Sequence, residues 1–291
     1  MAKNKLPVYD ICNIAGDADE FMIDRFGHYL EEHKDLHFPH KHSFYHLVYF
    51  SKGSGSHAVD FVRFQVVAGQ LYFMVPGQVH TWNFKNAPDG FIINFSEKFI
   101  QELVAAARYL DRFHFFSGVA AEQVIHIPRA GQKDIVQLFE GILAEAAAAK
   151  RFSGDMIRAL MIQLFISVDR YSVKQDSLHN NNYNSVVFKN FKQLVDIHYR
   201  EKKLTKDYAA LLYITPNHLN ALTKDITGHP AGELIRDRIL LEAKRMLINS
   251  EITIAAIADT LDFADNSYFS RFFKKYTGIT PEVFRKQNIT Q

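Results

Sequence analysis

The sequence predicts an α+β protein of two domains. The first is a small N-terminal β-barrel with an antiparallel helix pair. The second is all-α, with two helix-turn-helix units joined by a long helix. Three observations carry this expectation. Short runs rich in Phe, Tyr and Val alternate with turn residues between residues 21 and 95. Two amphipathic stripes follow. A helix–turn–helix pattern is then written twice between residues 203 and 285.

The 291 residues suffice for two domains of ordinary size. An apolar content of 47% and a charged content of 23% are globular values. Cys12 is the single cysteine, so no intramolecular disulfide forms and a reduced cytoplasm is the expected location. MAKNKLPVYD has no apolar run, so no signal peptide is expected, and no stretch is long enough to span a membrane. Residues 184–291 carry 16 Lys+Arg against 12 Asp+Glu, and the remainder carries 18 against 20. The asymmetry favours nucleic acid on the C-terminal side.

Residues 1–20 read as a polar arm. FYHLVYF, FQVVAGQLYFMV and FIINF read as strands, separated by SKGSGS, Gly69 and PGQ. Many short strands in about 80 residues suggest a small barrel or jelly roll. Ser96 to Leu110 reads as a helix. Ile135, Leu138, Phe139, Ile142 and Leu143 form one stripe; Ile157, Leu160, Met161, Leu164, Phe165 and Val168 form the next. RFSG between them is short, so the helices should pack antiparallel. QDSLHNNNYNS, residues 175–185, is the linker signal. The expected domains are therefore 1–174 and 186–291, with a helix resuming at about Val186.

The repeat runs from Tyr208 to Gly228 and from Ile257 to Gly278. Leu219, Leu222, Lys224, Thr227 and Gly228 recur 50 positions later as Phe269, Phe272, Lys274, Thr277 and Gly278. Ala209 and Ala258 match at 49, so the second turn is one residue longer. Thr205, Thr215, Thr253 and Asp265 are the expected N-caps, with Pro216 at a first helical position. Gly228 and Gly278 end the second helices, and Pro230 and Pro281 stop continuation. Leu219, Leu222 and Ile226 should face inward, as should Phe269, Phe272, Phe273 and Tyr276. The outer faces then carry Asn217, His218, Asn220, Ala221 and Lys224 in the first copy. Asn266, Ser267, Ser270, Arg271 and Lys274 occupy the second. Such side chains read base edges or hold phosphates, although a solvated helix face has the same composition. Pro230 to Ile248 reads as one connecting helix, about 28 Å long at 1.5 Å per residue. That length suits two reading helices about one DNA turn, 34 Å, apart.

DRILLEAKRML, its spacing to IAAIADTLDF, and NSYFSRFFKKYTGITPEVFR closely resemble the DNA-binding domain of AraC-type transcription regulators. Ala221 and Thr223 depart from the second copy, which has Arg271 and Phe273 there; Ala221 could meet a thymine methyl. HKHSFYHLVYFSKGSG followed by VPGQVH resembles the cupin barrel that many such regulators use as a sensor. The resemblance implies double-stranded DNA and a small-molecule effector as partners, a homodimer built on the helix pair, contact with RNA polymerase, and activation more often than repression.

Eleven of the fourteen histidines precede residue 184. An extended segment puts His40, His42, Phe44, His46 and Val48 on one face, and His80, Trp82 and Phe84 on another. The HxH pair, a third residue four positions on and a later His resemble the metal pattern of cupin enzymes, with His46 where that pattern has Glu. Three readings stay open: a metal site, purely structural histidines, or an organic effector pocket. The expectation is the pocket, lined by His42, His46, His80 and Trp82, with no metal or cofactor assigned. The alternative function is a metal-dependent cupin enzyme fused to a DNA-binding domain.

Overall fold

Apolar residues at alternate positions build the first unit. The structure is a computed structural model that describes residues 7–15, 20–33, 38–104, 109–172, 183–249 and 251–289. The described residues fall into two compact units, within 7–175 and 176–291.

The strands of the first unit are β1 (Val8–Tyr9), β2 (Phe21–Arg25), β3 (His40–His42), β4 (Tyr45–Val59), β5 (Val62–Gln65), β6 (Gln70–Met74), β7 (Val79–Phe95) and β8 (Val124–His126). They form one sheet in the order β1-β3-β7-β4-β6-β8, with β2 on β7 and β5 on β4. Among the described residues no pairing joins β1 to β8, so the pairings trace an open path. The helices are α1 (Ile11–Ala15), α2 (Phe26–Glu32), α3 (Glu97–Gln101), α4 (Arg129–Ala148) and α5 (Ser153–Ser172).

Alternation along β4 and β7 separates two cores. Leu47, Tyr49, Phe91, Ile93 and Phe95 share one cluster with α4 and α5, where Phe139 stacks on Phe91 at 5.0 Å. Val48, Phe50, Ile92 and Trp82 belong to the other, under Phe26 and Tyr29. The helix pair is antiparallel. Tyr171 near the end of α5 bonds Asp134 near the start of α4, and Ser153 at the start of α5 bonds Glu145 near the end of α4.

Several expectations need correction here. SKGSGS is not a turn: β4 runs through it, and the glycines and serines fall at register shifts against β7 between Phe50 and Gly55. Residues 7–15 of the expected arm are docked, because β1 pairs in parallel with β3 and Ile11 is buried. The sequence reading had no helix at α2, although Phe26 and Tyr29 are fully buried there. The helix expected over Ser96 to Leu110 stops at Gln101; residues 105–108 lie outside the described set.

The second unit contains α6 (Tyr183–His198), α7 (Thr205–Leu211), α8 (Pro216–Thr227), α9 (Ala231–Leu247), α10 (Ile254–Thr260), α11 (Asn266–Thr277) and α12 (Pro281–Ile289). Helix α6 begins at Tyr183, inside the stretch expected to link the domains; residues 173–182 lie outside the described set. Phe191, Tyr208, Leu219, Ile235, Ile257 and Phe269 meet in one core around α9. Helix α9 starts one residue after Pro230 and ends one residue before Ile248.

Candidate DNA-reading surface and buried histidine cluster

The two reading helices are built alike. Thr215 Oγ1 accepts the His218 N–H at 3.2 Å and starts α8, with Pro216 at the first position. Asp265 Oδ1 accepts the Tyr268 N–H at 2.6 Å and starts α11. Each helix ends at a glycine of left-handed conformation, Gly228 at φ 81° and Gly278 at φ 83°. The turns match too, since Tyr213 and Asp262 adopt φ of 55° and 53°. The first cap of the repeat falls one residue earlier than expected. Leu204 precedes α7, and its N–H meets the Asp207 carboxylate at 3.4 Å.

On α8, Asn217, His218, Ala221 and Lys224 are exposed. Asn220 is half-buried, and its Oδ1 accepts the Ala231 N–H at 3.1 Å, so that oxygen is engaged within the fold. On α11, Asn266, Ser267, Arg271 and Lys274 are exposed, and Ser270 is half-buried with its hydroxyl 3.5 Å from Asn266 Oδ1. Two inward assignments are corrected. Ile226 is 44% and Tyr276 is 40% exposed. Thr223 takes the buried place beside Leu222, its hydroxyl donating to the Asn220 carbonyl. Tyr276 instead lies under the Arg236 guanidinium, 4.3 Å from its ring centroid, which ties α11 to α9. Tyr213, before α8, and Tyr268, in the first turn of α11, are exposed and were not among the expected reading residues.

In the first unit, strand register gathers the histidines. His40 lies opposite His80 across β3 and β7, and His57 lies opposite Trp82 across β4 and β7. His42, His46, His80 and Trp82 therefore do come together, all buried. His42 and His46 stack at 4.8 Å, His46 and Trp82 at 5.9 Å. The structure adds His40 and His57. His80 Nε2 is 2.8 Å from His42 Nε2, and its Nδ1 is 3.2 Å from His57 Nε2. His40 Nδ1 donates to the Phe38 carbonyl at 2.7 Å, and His46 Nδ1 donates to Asn94 Oδ1 at 2.7 Å. These two contacts set the tautomers, because both acceptors are oxygens.

Burial disfavours the imidazolium in every one of them. It pushes His46 down to about 3 and His40 down to about 4, and holds His42, His57 and His80 well below the ordinary value. The ordinary histidine value near 6.5 applies to a hydrated ring, and these rings are buried. His57 went unnoticed in SGSHAVD because that stretch read as part of a turn. A cleft of about 470 Å³ lies elsewhere, lined by residues including Asp24, Glu32 and His33.

Comparison with known proteins agrees with both units. Residues 23–165 match the family described as AraC-like ligand binding domain, and residues 208–287 match the helix-turn-helix domain family. The chain belongs to the AraC-type transcription regulators. Among curated relatives of this regulator is the HTH-type transcriptional activator RhaR of Cronobacter sakazakii. It is 21% identical over 251 residues, covering 85% of this chain and 86% of that protein. The uncharacterized transcriptional regulatory protein YesN of Bacillus subtilis is 38% identical over 79 residues, 26% of this chain and 22% of YesN. That match thus spans about a fifth of YesN. Among solved structures, unsaturated fatty acid bound ToxT from Vibrio cholerae has 15% identity and a TM-score of 0.44, covering 92% of this chain and 95% of that one. The AraC-type family is one of DNA-binding regulators, not of enzymes. No helix among the described residues is long and apolar enough to cross a membrane.

Proposed function

We propose that this regulator is an effector-responsive activator whose two reading helices enter successive major-groove segments of one operator. The observation that carries this is the repeated geometry of α8 and α11. Two helices capped and ended alike leave Asn217, His218, Ala221 and Lys224, and Asn266, Ser267, Arg271 and Lys274, on exposed faces. Arg271 suits bidentate contact with guanine, and Lys274 suits a phosphate. Activation follows the name of RhaR, a transcriptional activator that this chain matches along most of its length, and contact with RNA polymerase is proposed as the route to activation. The sheet unit is the sensor and dimer-forming part, and the helical unit, from α6 at Tyr183 onward, is the reading part. The effector site is the cluster of His42, His46, His80 and Trp82. A homodimer would use the outer face of the helix pair.

Selection of duplexes from a random pool with the full chain tests this reading. Arg271→Ala should weaken binding to the selected operator by about 1–3 kcal/mol and relax preference at one base pair. Lys274→Ala should weaken all duplexes alike and reduce the salt dependence. Unchanged operator affinity in Arg271→Ala, with altered base preference in Lys274→Ala, would reverse the assigned orientation of α11.

A further inference from the structure

We propose that His40, His42 and His80 form a binding site for a divalent first-row transition metal ion inside the sensor unit. The inference deepens the sensing function proposed above, and it rests on that function only for an effect on DNA binding. The three side chains are buried, and one ligating nitrogen from each lies within 4.8 Å of the other two. An ion bonded to imidazole nitrogens at 2.0–2.1 Å in tetrahedral geometry holds its ligands about 3.4 Å apart. The cluster thus needs adjustments of the order of an ångström, within rings already packed together.

Hydrogen bonding has aimed the lone pairs. His40 presents Nε2 because its Nδ1 proton is committed to the Phe38 carbonyl. His80 presents Nε2 when its Nδ1 donates to His57 Nε2 at 3.2 Å. A ligating histidine characteristically has this partner on its other nitrogen. Beside the triad, His46 keeps its Nδ1 proton on Asn94 and leaves Nε2 without a partner. His40 Nε2, His42 Nδ1 and His57 Nδ1 are also buried without partners. Buried polar atoms are rarely left unpaired, so the bare Nε2 atoms of His40 and His46 in this cluster call for an occupant.

The chemistry of the occupant follows from the donors. All are neutral imidazoles, and neither a thiolate nor a carboxylate belongs to the triad. Hard ions such as Mg²⁺ and Ca²⁺ prefer oxygen, whereas imidazole suits Zn²⁺, Fe²⁺, Ni²⁺ and Cu²⁺. Binding needs both nitrogens of the 2.8 Å contact between His42 Nε2 and His80 Nε2 as lone pairs. The proton they share moves to His42 Nδ1, which is unpartnered, so the metal enters without net proton release. An organic molecule would have to displace rings whose centroids are 4.2 Å apart for His40 and His80 and 4.9 Å apart for His42 and His80.

The test uses the full chain equilibrated with Zn²⁺ or Co²⁺ and then desalted. Elemental analysis should find about one equivalent, and Co²⁺ should show the ligand-field bands of nitrogen coordination. The His40→Gln and His42→Gln variants should lose that equivalent. His57→Phe, which removes only the partner of His80 Nδ1, should weaken binding about 10–100-fold. His28→Ala, at an exposed Asp24–His28–Glu32 group, should retain it. If wild type retains no stoichiometric metal, the site is overturned whether or not the variants fold. Metal retained equally by His40→Gln and His57→Phe, with unchanged melting, also overturns it. Operator titration with and without Zn²⁺ is read separately. One equivalent bound with unchanged DNA affinity upholds the site and removes the ion as the effector; a shift of tenfold or more supports both.

Discussion

Asn220 and Ser270 occupy equivalent positions in the two copies, yet the helices that follow place different demands on them. Helix α9 is preceded by Pro230, which has no side-chain acceptor, and its first residue, Ala231, has an N–H to satisfy. Asn220 reaches across from α8 and accepts it. In the second copy Pro281 stands where Ala231 does, with no N–H to satisfy. Thr280 stands where Pro230 does, and its own hydroxyl accepts from Val283 at 3.3 Å. A short serine suffices there. Asn220→Ala should therefore lose about 1 kcal/mol of stability, the usual effect of removing a helix cap, and leave base preference unchanged. Denaturant unfolding together with duplex selection checks this; altered base preference at unchanged stability would restore Asn220 to the reading face. Its residue type suggested an adenine reader, and helical period alone could not show that one edge of that face meets α9.

At the scale of elements, α5 shows why an apolar stripe does not name its partner. Leu164, which the sequence suggests for a dimer contact, is fully buried in the core shared by sheet and helix pair. Leu164→Asp should unfold the sheet unit, because it buries an unpaired charge. It would not yield a folded monomer. Met156 and Ile166, 51% and 37% exposed, point away from that core and continue a stripe through Ala159. Met156→Asp or Ile166→Asp should give a folded monomer with weakened binding to paired sites, as light scattering and circular dichroism would show. A dimer persisting in both variants would exclude this face. The helix ends were more legible than the strands. Thr215, Thr253 and Asp265 cap where expected because a cap is a local event. Strand β4 was not legible through SKGSGS, since glycine marks a turn and a register shift equally well, and only pairing with β7 decides. The His-bearing faces could be read in advance because alternation needs only an extended backbone. His57 could not, because its place depends on the same register.

Across the whole molecule, the buried histidines make the two units respond differently to acid. Burial is the first cause of the lowered values at His40, His42, His46, His57 and His80, all in the sheet unit. An unfolded chain takes up protons at histidine near pH 6.5, whereas the folded unit keeps these rings neutral to about pH 4 at His40 and about 3 at His46. Below pH 6.5 the unfolded state then binds more protons, so stability falls as pH falls. The contribution is fully present above pH 6.5 and is lost progressively down to the folded values. At pH 5.5, below the unfolded value and above the folded values of His40 and His46, each of these two rings costs on the order of 1 kcal/mol of stability, and His42, His57 and His80 act in the same direction. Thermal unfolding of the full chain should show the transition of the sheet unit moving sharply down between pH 7 and pH 5.5. The helical unit contains none of these five rings, and its transition should move much less. Equal movement of both transitions, or none, would mean that the cluster is not held neutral in the folded protein.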